Sequence, residues 1–488
     1  MLVQHLHQYY VPLRRKTLLT CSRSRLVTTL AIETSCDDTS VAIVQKSDGL
    51  SASVKNPIAA LHFHEKVTSD NSQFAGVHPL VAQDSHQKNL ATLIAKALEY
   101  LPLAANPDIE VDKETGVREQ AVKNHQPSAI QVFSNGRYLL KERPDFISVT
   151  RGPGLRSCLA TGLDTAKGLA VAFQVPLIGV NHMQAHALTP RLASALKQRA
   201  KYEPDPAFPF LSLLVSGGHT LLVHSKSVTD HEILATTNDV AIGDCLDKTA
   251  RAVLPSSVMA QSKDAMYGSL LETFAFPSGP ESYNYTPPTR RHEELARKPA
   301  KWGWSLGAPL SETRAGKSRE MKFTFTGTQS NVERICETRS WEAERGNEER
   351  VDLARESMRV VFEHLSSRVV MALQQFAARK TGIHTLVVSG GVARNDFLKH
   401  VLRSFLDARG FSHVRIIFPP TPLCTDNAAM IGWTGIEMFE AGWESDLSIQ
   451  ARRKWAIDPE AEDGGILGAD GWKRRIREEG MRESCGLR

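Results

Sequence analysis

An α/β protein of two lobes closing on a cleft is the fold this sequence predicts, and three features predict it. At 488 residues the chain exceeds what one core accommodates, because single cores stop growing at about 250–300 residues. Apolar β-rich runs alternate with helical patterns along most of its length, the arrangement that builds sheets covered by helices. Two segments also resemble one another, "LLVSGGHTLLV" at 213–223 and "LVVSGGVARNDF" at 386–397. Each is a strand-like run ended by Ser-Gly-Gly, where backbone N–H groups stand clear of side chains and an anion can approach closely. Two such loops suggest duplicated lobes facing one cleft.

Composition narrows the class. Hydrophobic residues make up 41% and charged residues 23%, as in globular proteins, and no stretch approaches the roughly 18 consecutive apolar residues of a membrane helix. A net charge of +5 permits a nucleic-acid partner without dictating one. The seven cysteines form no C-x-x-C pair, which argues against a disulfide framework or a zinc ribbon and for a reducing compartment. The first 32 residues hold no Asp or Glu, yet carry Arg14, Arg15, Lys16, Arg23 and Arg25. That is transit-peptide composition, so residues 1–27 are set apart from the fold and a mitochondrial matrix location is expected. A disordered basic tail is the alternative.

The first lobe is expected over 28–185. "TTLAIETSCDDTSVAIVQ" (28–45) reads as a hairpin with Glu33, Asp37 and Asp38 at its bend. Leu90, Leu93, Ile94 and Leu98 give 78–100 a helical period, and a polar stretch of about forty residues follows as a surface insertion. From Pro144 come a strand, a Gly-Pro-Gly turn and a helix starting near Gly154; "VPLIGV" is a short buried strand. The second lobe is expected over 186–445. It contains a helix at "DVAIGDCLDKTARAVL", an insertion over 255–320, and a strand with Phe323 and Phe325 on one side. The long amphipathic helix from Val351 stops at Gly382, and a further helix begins after Asp426 and Asn427. Residues 446–488 read as a polar, poorly ordered tail.

"GVNHMQAHAL" (179–188) holds His182 and His186. Positions i and i+4 of a helix lie one above the other, so both imidazoles can reach one metal ion, although an isolated H-x-x-x-H pair is more often two unrelated helix residues. Zinc peptidases of the H-E-x-x-H kind place a general base directly after the first histidine. Here that residue is Met183, which cannot accept a proton.

"IETSCDDT", "NHMQAH", "LVSGGHT", "GDCLDKTAR", "SGGVARN" and "CTDNAAMI" occur in the order seen in the tRNA adenosine threonylcarbamoyltransferases, and the chain resembles that family over most of 28–440. The leader, together with "YNYTPPTRR" and the long insertion, makes it similar to the mitochondrial, fungal branch. The resemblance implies a fold similar to actin, hexokinase and heat-shock ATPases. It implies one divalent metal held by His182, His186 and Asp426, with zinc or iron favoured over magnesium by the two nitrogens. It implies that threonylcarbamoyl-adenylate, made by a separate synthase, lies along Leu214, Val215, Ser216, Gly217 and Gly218. Asp247 would meet a ribose hydroxyl, Arg394 and Asn395 the second glycine loop, and Thr425 would stand beside the metal ligand. Gly268 and Glu272 occupy the place of the family's Pro-Gly-Gly segment, which this chain lacks, and "FTGTQSNV" departs from the usual Ser-Gly-Leu-Lys, so its residues receive no role. The acceptor would be N6 of the adenosine beside the anticodon in mitochondrial tRNAs reading codons that start with A, and a homodimer is implied by kinship.

The adenylate is already a good leaving group, so alignment and charge stabilisation suffice without an enzyme nucleophile. Glu33 or Asp37 is a candidate to receive the amine proton. Arg191, Lys197, Arg199, Lys201, Arg290 and Arg291 are candidate tRNA phosphate contacts. Two other readings suit an adenine-nucleotide cleft: a small-molecule kinase or ATPase, and a non-catalytic nucleotide-gated interaction protein.

Overall fold

The computed structural model describes residues 26–47, 57–71, 73–74, 76–104, 129–198, 203–260, 267–311, 314–339, 341 and 345–475. Nearly all of the expected leader, Arg199, Lys201 and the end of the expected tail lie outside the described residues.

In chain order the first half comprises β1 (Leu26–Glu33), β2 (Asp38–Ser47), β3 (Ala59–Thr68), α1 (Pro79–Glu99), β4 (Ala129–Ser134), β5 (Arg137–Glu142), β6 (Phe146–Gly152), α2 (Arg156–Phe173), β7 (Leu177–Asn181) and α3 (His182–Ala195). The second comprises β8 (Phe210–Val215), β9 (Thr220–Ser225), β10 (His231–Thr237), α4 (Ile242–Val253), α5 (Ser256–Met259), α6 (Gly268–Ala275), α7 (Arg291–Leu295), β11 (Lys322–Phe323), α8 (Thr326–Glu337), α9 (Arg345–Ala378), β12 (Thr385–Ser389), α10 (Asp396–Ala408) and β13 (Arg415–Ile417). Then follow α11 (Thr421–Cys424), α12 (Ala428–Glu440), β14 (Trp443–Ser445), α13 (Gly465–Gly468) and β15 (Trp472–Arg474).

Two sheets are built on one plan. In the first, β1, β2 and β3 form an antiparallel meander, β6 joins parallel to β1, and β7 parallel to β6. In the second, β8, β9 and β10 repeat the meander, β12 joins parallel to β8, and β13 parallel to β12. Each parallel addition is reached through a helix, α1 and α2 in one sheet and α9 and α10 in the other, as parallel pairing requires. This repeated three-antiparallel, two-parallel topology is the two-lobed α/β fold expected.

The repeat lies in the topology and not in the Ser-Gly-Gly loops. Both loops belong to the second sheet, ending the adjacent parallel strands β8 and β12. Neighbouring parallel strands end on the same side, so the loops sit side by side. Gly390, at φ +106°, comes so close that a Cβ there would lie 2.2 Å from the Val215 carbonyl oxygen. The counterparts in the first sheet are the turn after β1, which follows Glu33, and the Gly-Pro-Gly turn after β6.

Four other expectations change. The tail is structured to residue 475: β14 and β15 extend the first sheet beyond β7, and Ile449, Trp455, Ile457 and Ile466 are buried. These apolar residues are too widely spaced to show a period. Helix α12 belongs to the first lobe, because it packs on β1, β2, β6 and β7 and buries every residue but Glu440. The 255–320 insertion contributes Leu271, Ala275, Phe276, Trp304 and Leu306 to the second-lobe core. Helix α9 ends through Lys380 in a left-handed conformation (φ 58°), two residues before the expected glycine stop. Phe323 and Phe325 are fully buried and stacked at 6.3 Å as expected, but β11 spans only Lys322 and Phe323 before α8 begins.

Candidate functional site

Helix α3 starts where β7 ends, and the Asn181 side chain caps it by accepting from the Met183 and Gln184 amides. That cap places His182 in the first turn and His186 one turn on, both buried. Asp426 arrives from the loop between α11 and α12, where Asn427 caps α12 by accepting from the Met430 amide. His182 Nε2 and His186 Nε2 lie 3.2 Å apart, and Asp426 Oδ1 lies 3.0 Å from His186 Nε2 and 3.4 Å from His182 Nε2. Three ligand atoms at bond lengths of about 2.1 Å around one ion are separated by roughly 3.0–3.4 Å, so this group has the spacing of a metal site.

The chemistry around the group fits that use. Glu33, at the end of β1, is fully buried; its Oε1 accepts the Ser35 amide at 2.6 Å, and its Oε2 accepts from Thr150 and, at 3.3 Å, from His182 Nδ1. Ser35 Oγ also lies 3.3 Å from that nitrogen. Glu33 and Ser35 hold the ring at Nδ1 and so orient Nε2 toward Asp426. Burial alone would raise Glu33 and Asp426, but the histidines outweigh it, holding Glu33 low and Asp426 well below the usual carboxylate range. His182 is raised well above the ordinary imidazole value, because both carboxylates overcome the effect of its burial. Metal binding would displace the proton these carboxylates hold on His182, leaving two imidazoles and an ionised carboxylate as the donor set.

Asp37 is partly exposed in the turn beside this group, and burial together with Asp426 raises its pKa. Lys66 on β3 donates to Asp38 Oδ2 at 2.7 Å, Thr425 Oγ1 at 3.1 Å and the Asp426 carbonyl at 3.3 Å, tying the first sheet to the loop that carries Asp426. No pattern in the sequence singles out Lys66. Helix α3 packs against β8 and β12, which brings both Ser-Gly-Gly loops near the histidine pair, and His219, exposed at the end of the first loop, is held down to about 4 by desolvation and by His182 and His186.

Leu214 and Val215 are buried core side chains and can offer a ligand only their backbone, whereas Ser216 is half-buried and Gly217 and Gly218 are exposed. Arg394 is exposed at the end of the second loop. Asn395 is buried and caps α10 by accepting from the Leu398 amide, which commits its oxygen to the fold. Asp247 Oδ1 accepts the Gly268 amide at 2.7 Å, joining two expected site residues. Glu272 Oε1 accepts the Asp396 and Phe397 amides at 2.7 and 2.9 Å, so it too secures the start of α10. Arg191 cannot be a phosphate contact: it is buried, donating to Glu437 Oε1 and the Pro206 carbonyl, each at 2.7 Å. Arg291 is likewise engaged, by Glu294, Ser367 and the Ser318 carbonyl. Lys197 and Arg290 are exposed.

Fold and site together define a two-lobed α/β protein with a His–His–Asp group, able to hold a metal ion, beside paired glycine loops. Residues 119–433 match the family model described as TsaD, tRNA N6-adenosine threonylcarbamoyltransferase, and the chain belongs to that family. It is 36% identical over 453 residues to the mitochondrial tRNA N6-adenosine threonylcarbamoyltransferase of Schizosaccharomyces pombe, covering 92% of this chain and 89% of that protein. It is 31% identical over 437 residues to the Sinorhizobium medicae enzyme of the same name, covering 89% and 96%. Among solved structures it is similar to HypF of T. kodakarensis, at 12% identity and TM-score 0.42 over 85% of this chain and 48% of that one.

Proposed function

We propose that this tRNA-modifying acyltransferase moves the threonylcarbamoyl group of threonylcarbamoyl-adenylate to N6 of the adenosine beside the anticodon, position 37, in mitochondrial tRNAs reading codons that start with A, with AMP leaving. The observation that carries this reading is the meeting of His182, His186 and Asp426, 240 residues apart at the extremes of the His186–Asp426 pair, in a chain of this family. These three residues would hold one divalent ion, zinc or iron in preference to magnesium because two donors are imidazoles. Such an ion supplies a Lewis acid for the acyl carbonyl or phosphate.

The chain's own groups do the rest. The amides of Ser216, Gly217 and Gly218 offer donors to the adenylate phosphate, and Arg394 adds a positive charge across the neighbouring loop. Asp247 receives a ribose hydroxyl with Gly268 bracing it, while Asn395 and Glu272 hold the second loop in place through α10. Thr425 and Lys66 fix Asp426. Glu33, buried with both oxygens engaged, is a positioning residue for His182, which leaves Asp37 as the carboxylate open to take the N6 proton. Lys197 and Arg290 contact tRNA phosphates, so log affinity falls linearly with log salt. The acyl-adenylate comes from a separate synthase, the working form is a homodimer, and the site of action is the mitochondrial matrix.

The test supplies purified synthase, threonine, bicarbonate, ATP and mitochondrial tRNA, and measures the modified nucleoside. Wild type should form it and His186→Ala should lose more than about 100-fold in rate. Phosphate transfer from ATP to a small molecule without tRNA, or stoichiometric adenylate binding without turnover, would replace this reading.

A further inference from the structure

A second polar cluster lies inside the second lobe, in the core around α9, and the reaction does not use it. Arg291 on α7 and Arg359, Glu363, His364 and Arg368 on α9 line a small, partly open cavity of about 20 Å³ together with Glu294. Arg368 is 1% exposed, and neither its Nε nor its Nη2 has a hydrogen-bond partner. Arg291 Nε, which is also buried, has none. The neighbouring charges are already matched. Arg359 donates to Glu356 and, at 2.5 Å, to Glu363; Arg291 and Arg409 both donate to Glu294. Four guanidiniums therefore share three carboxylates through hydrogen bonds, and Arg368 is the one without an ion pair; Glu294 and Glu320 act on it only at longer range, and Glu320 is paired with Lys322. Among the described residues its one hydrogen bond, from Nη1 to Ser367 Oγ at 3.4 Å, is to a neutral hydroxyl. Burial pushes His364 well below the ordinary imidazole value, with Arg368 and Arg291 adding to it, so the ring stays neutral and supplies no further cation.

A buried guanidinium keeps its charge, because its pKa is too high for deprotonation to relieve the cost. Water could satisfy the idle N–H groups but could not balance the charge. The cavity is too small for a phosphate or a carboxylate metabolite and large enough for a single spherical ion. We propose that this cavity is a binding site for a halide-sized monovalent anion, chloride in the cell, held by Arg368 and Arg291. The bound ion ties α7 to α9 and completes the charge balance of the second-lobe core. It is separate from the histidine group, so its occupancy is read without reference to catalysis.

The experiment compares thermal unfolding of the full-length protein in sodium chloride and sodium gluconate at one ionic strength, over a chloride series. Chloride should raise the midpoint saturably, by about 2–4 °C, and Arg368→Leu should abolish the difference. Should that variant fail to fold, crystals of the wild-type protein soaked in bromide give a second reading, with an anomalous peak expected between Arg368 and Arg291. Equal midpoints in the two salts, a chloride response retained in Arg368→Leu, or a cavity holding water with bromide absent would overturn the proposal.

Discussion

Glu33 shows how a residue's environment decides what its chemistry can be used for. As a carboxylate at a strand turn it reads equally well as a proton acceptor or as turn chemistry. Complete burial, the Ser35 amide on one oxygen and Thr150 and His182 on the other leave it no route to a substrate proton. Glu33→Gln should therefore lower metal affinity about 10–100-fold, measured by titrating the metal-free protein. Unchanged affinity with activity lost would return the proton-acceptor role to Glu33. At this scale the sequence was informative where chemistry needs a rare residue type at a fixed spacing, as with His182 and His186, whereas Asp426 was reached only through the family resemblance. It was silent on Lys66 and Thr150, because their partners are set by which strands become neighbours.

Among the elements, α3 and α12 matter most to the site, since one carries both histidines and the other begins two residues after Asp426. A buried ion pair joins them: Arg191 Nε meets Glu437 Oε1 at 2.7 Å, and Trp433 Nε1 donates to the same oxygen at 2.7 Å. Arg191→Met leaves Glu437 buried without its charge partner and should cost about 3–5 kcal/mol of stability, seen as a lower urea midpoint. Adding Glu437→Met should recover much of that loss, because a well-packed apolar pair removes the stranded charge. Close packing is a second constraint. A Cβ at Gly432 of α12 would lie 2.5 Å from Val44 Cγ2 on β2, so Gly432→Ala should destabilise by about 1–3 kcal/mol. Most elements were legible from periodicity, among them the hairpin at 28–45, α1, α2 and α4. Helix α9 was legible except at its end, because Lys380 adopts a conformation that side-chain type alone does not announce.

In the whole molecule, buried histidines set a stability limit in acid. Burial pushes His64, with Lys66 adding to it, and His231 down to about 4, and holds His364 well below the ordinary imidazole value. In the unfolded chain each titrates near its ordinary 6.5, so below that pH the unfolded state binds more protons than the folded one. The stability these groups contribute is complete above about 6.5 and declines as pH falls toward 4. Urea midpoints measured across that window should drop, and His231→Asn should flatten the slope. An identical slope in that variant would show that His231 titrates normally in the folded protein.

The sequence by itself determined the class of fold, the type of most elements and the i, i+4 spacing of His182 and His186, because periodicity, turn chemistry and residue spacing are local properties; Asp426 entered only through the resemblance of "CTDNAAMI" to a family motif. Only the tertiary structure decided that both Ser-Gly-Gly loops share one sheet, that α12 and residues 446–475 return to the first lobe, and that Arg191 is a buried staple. Those outcomes depend on which distant segments come into contact. Burial and pairing across more than two hundred residues leave no trace in the order of neighbouring side chains.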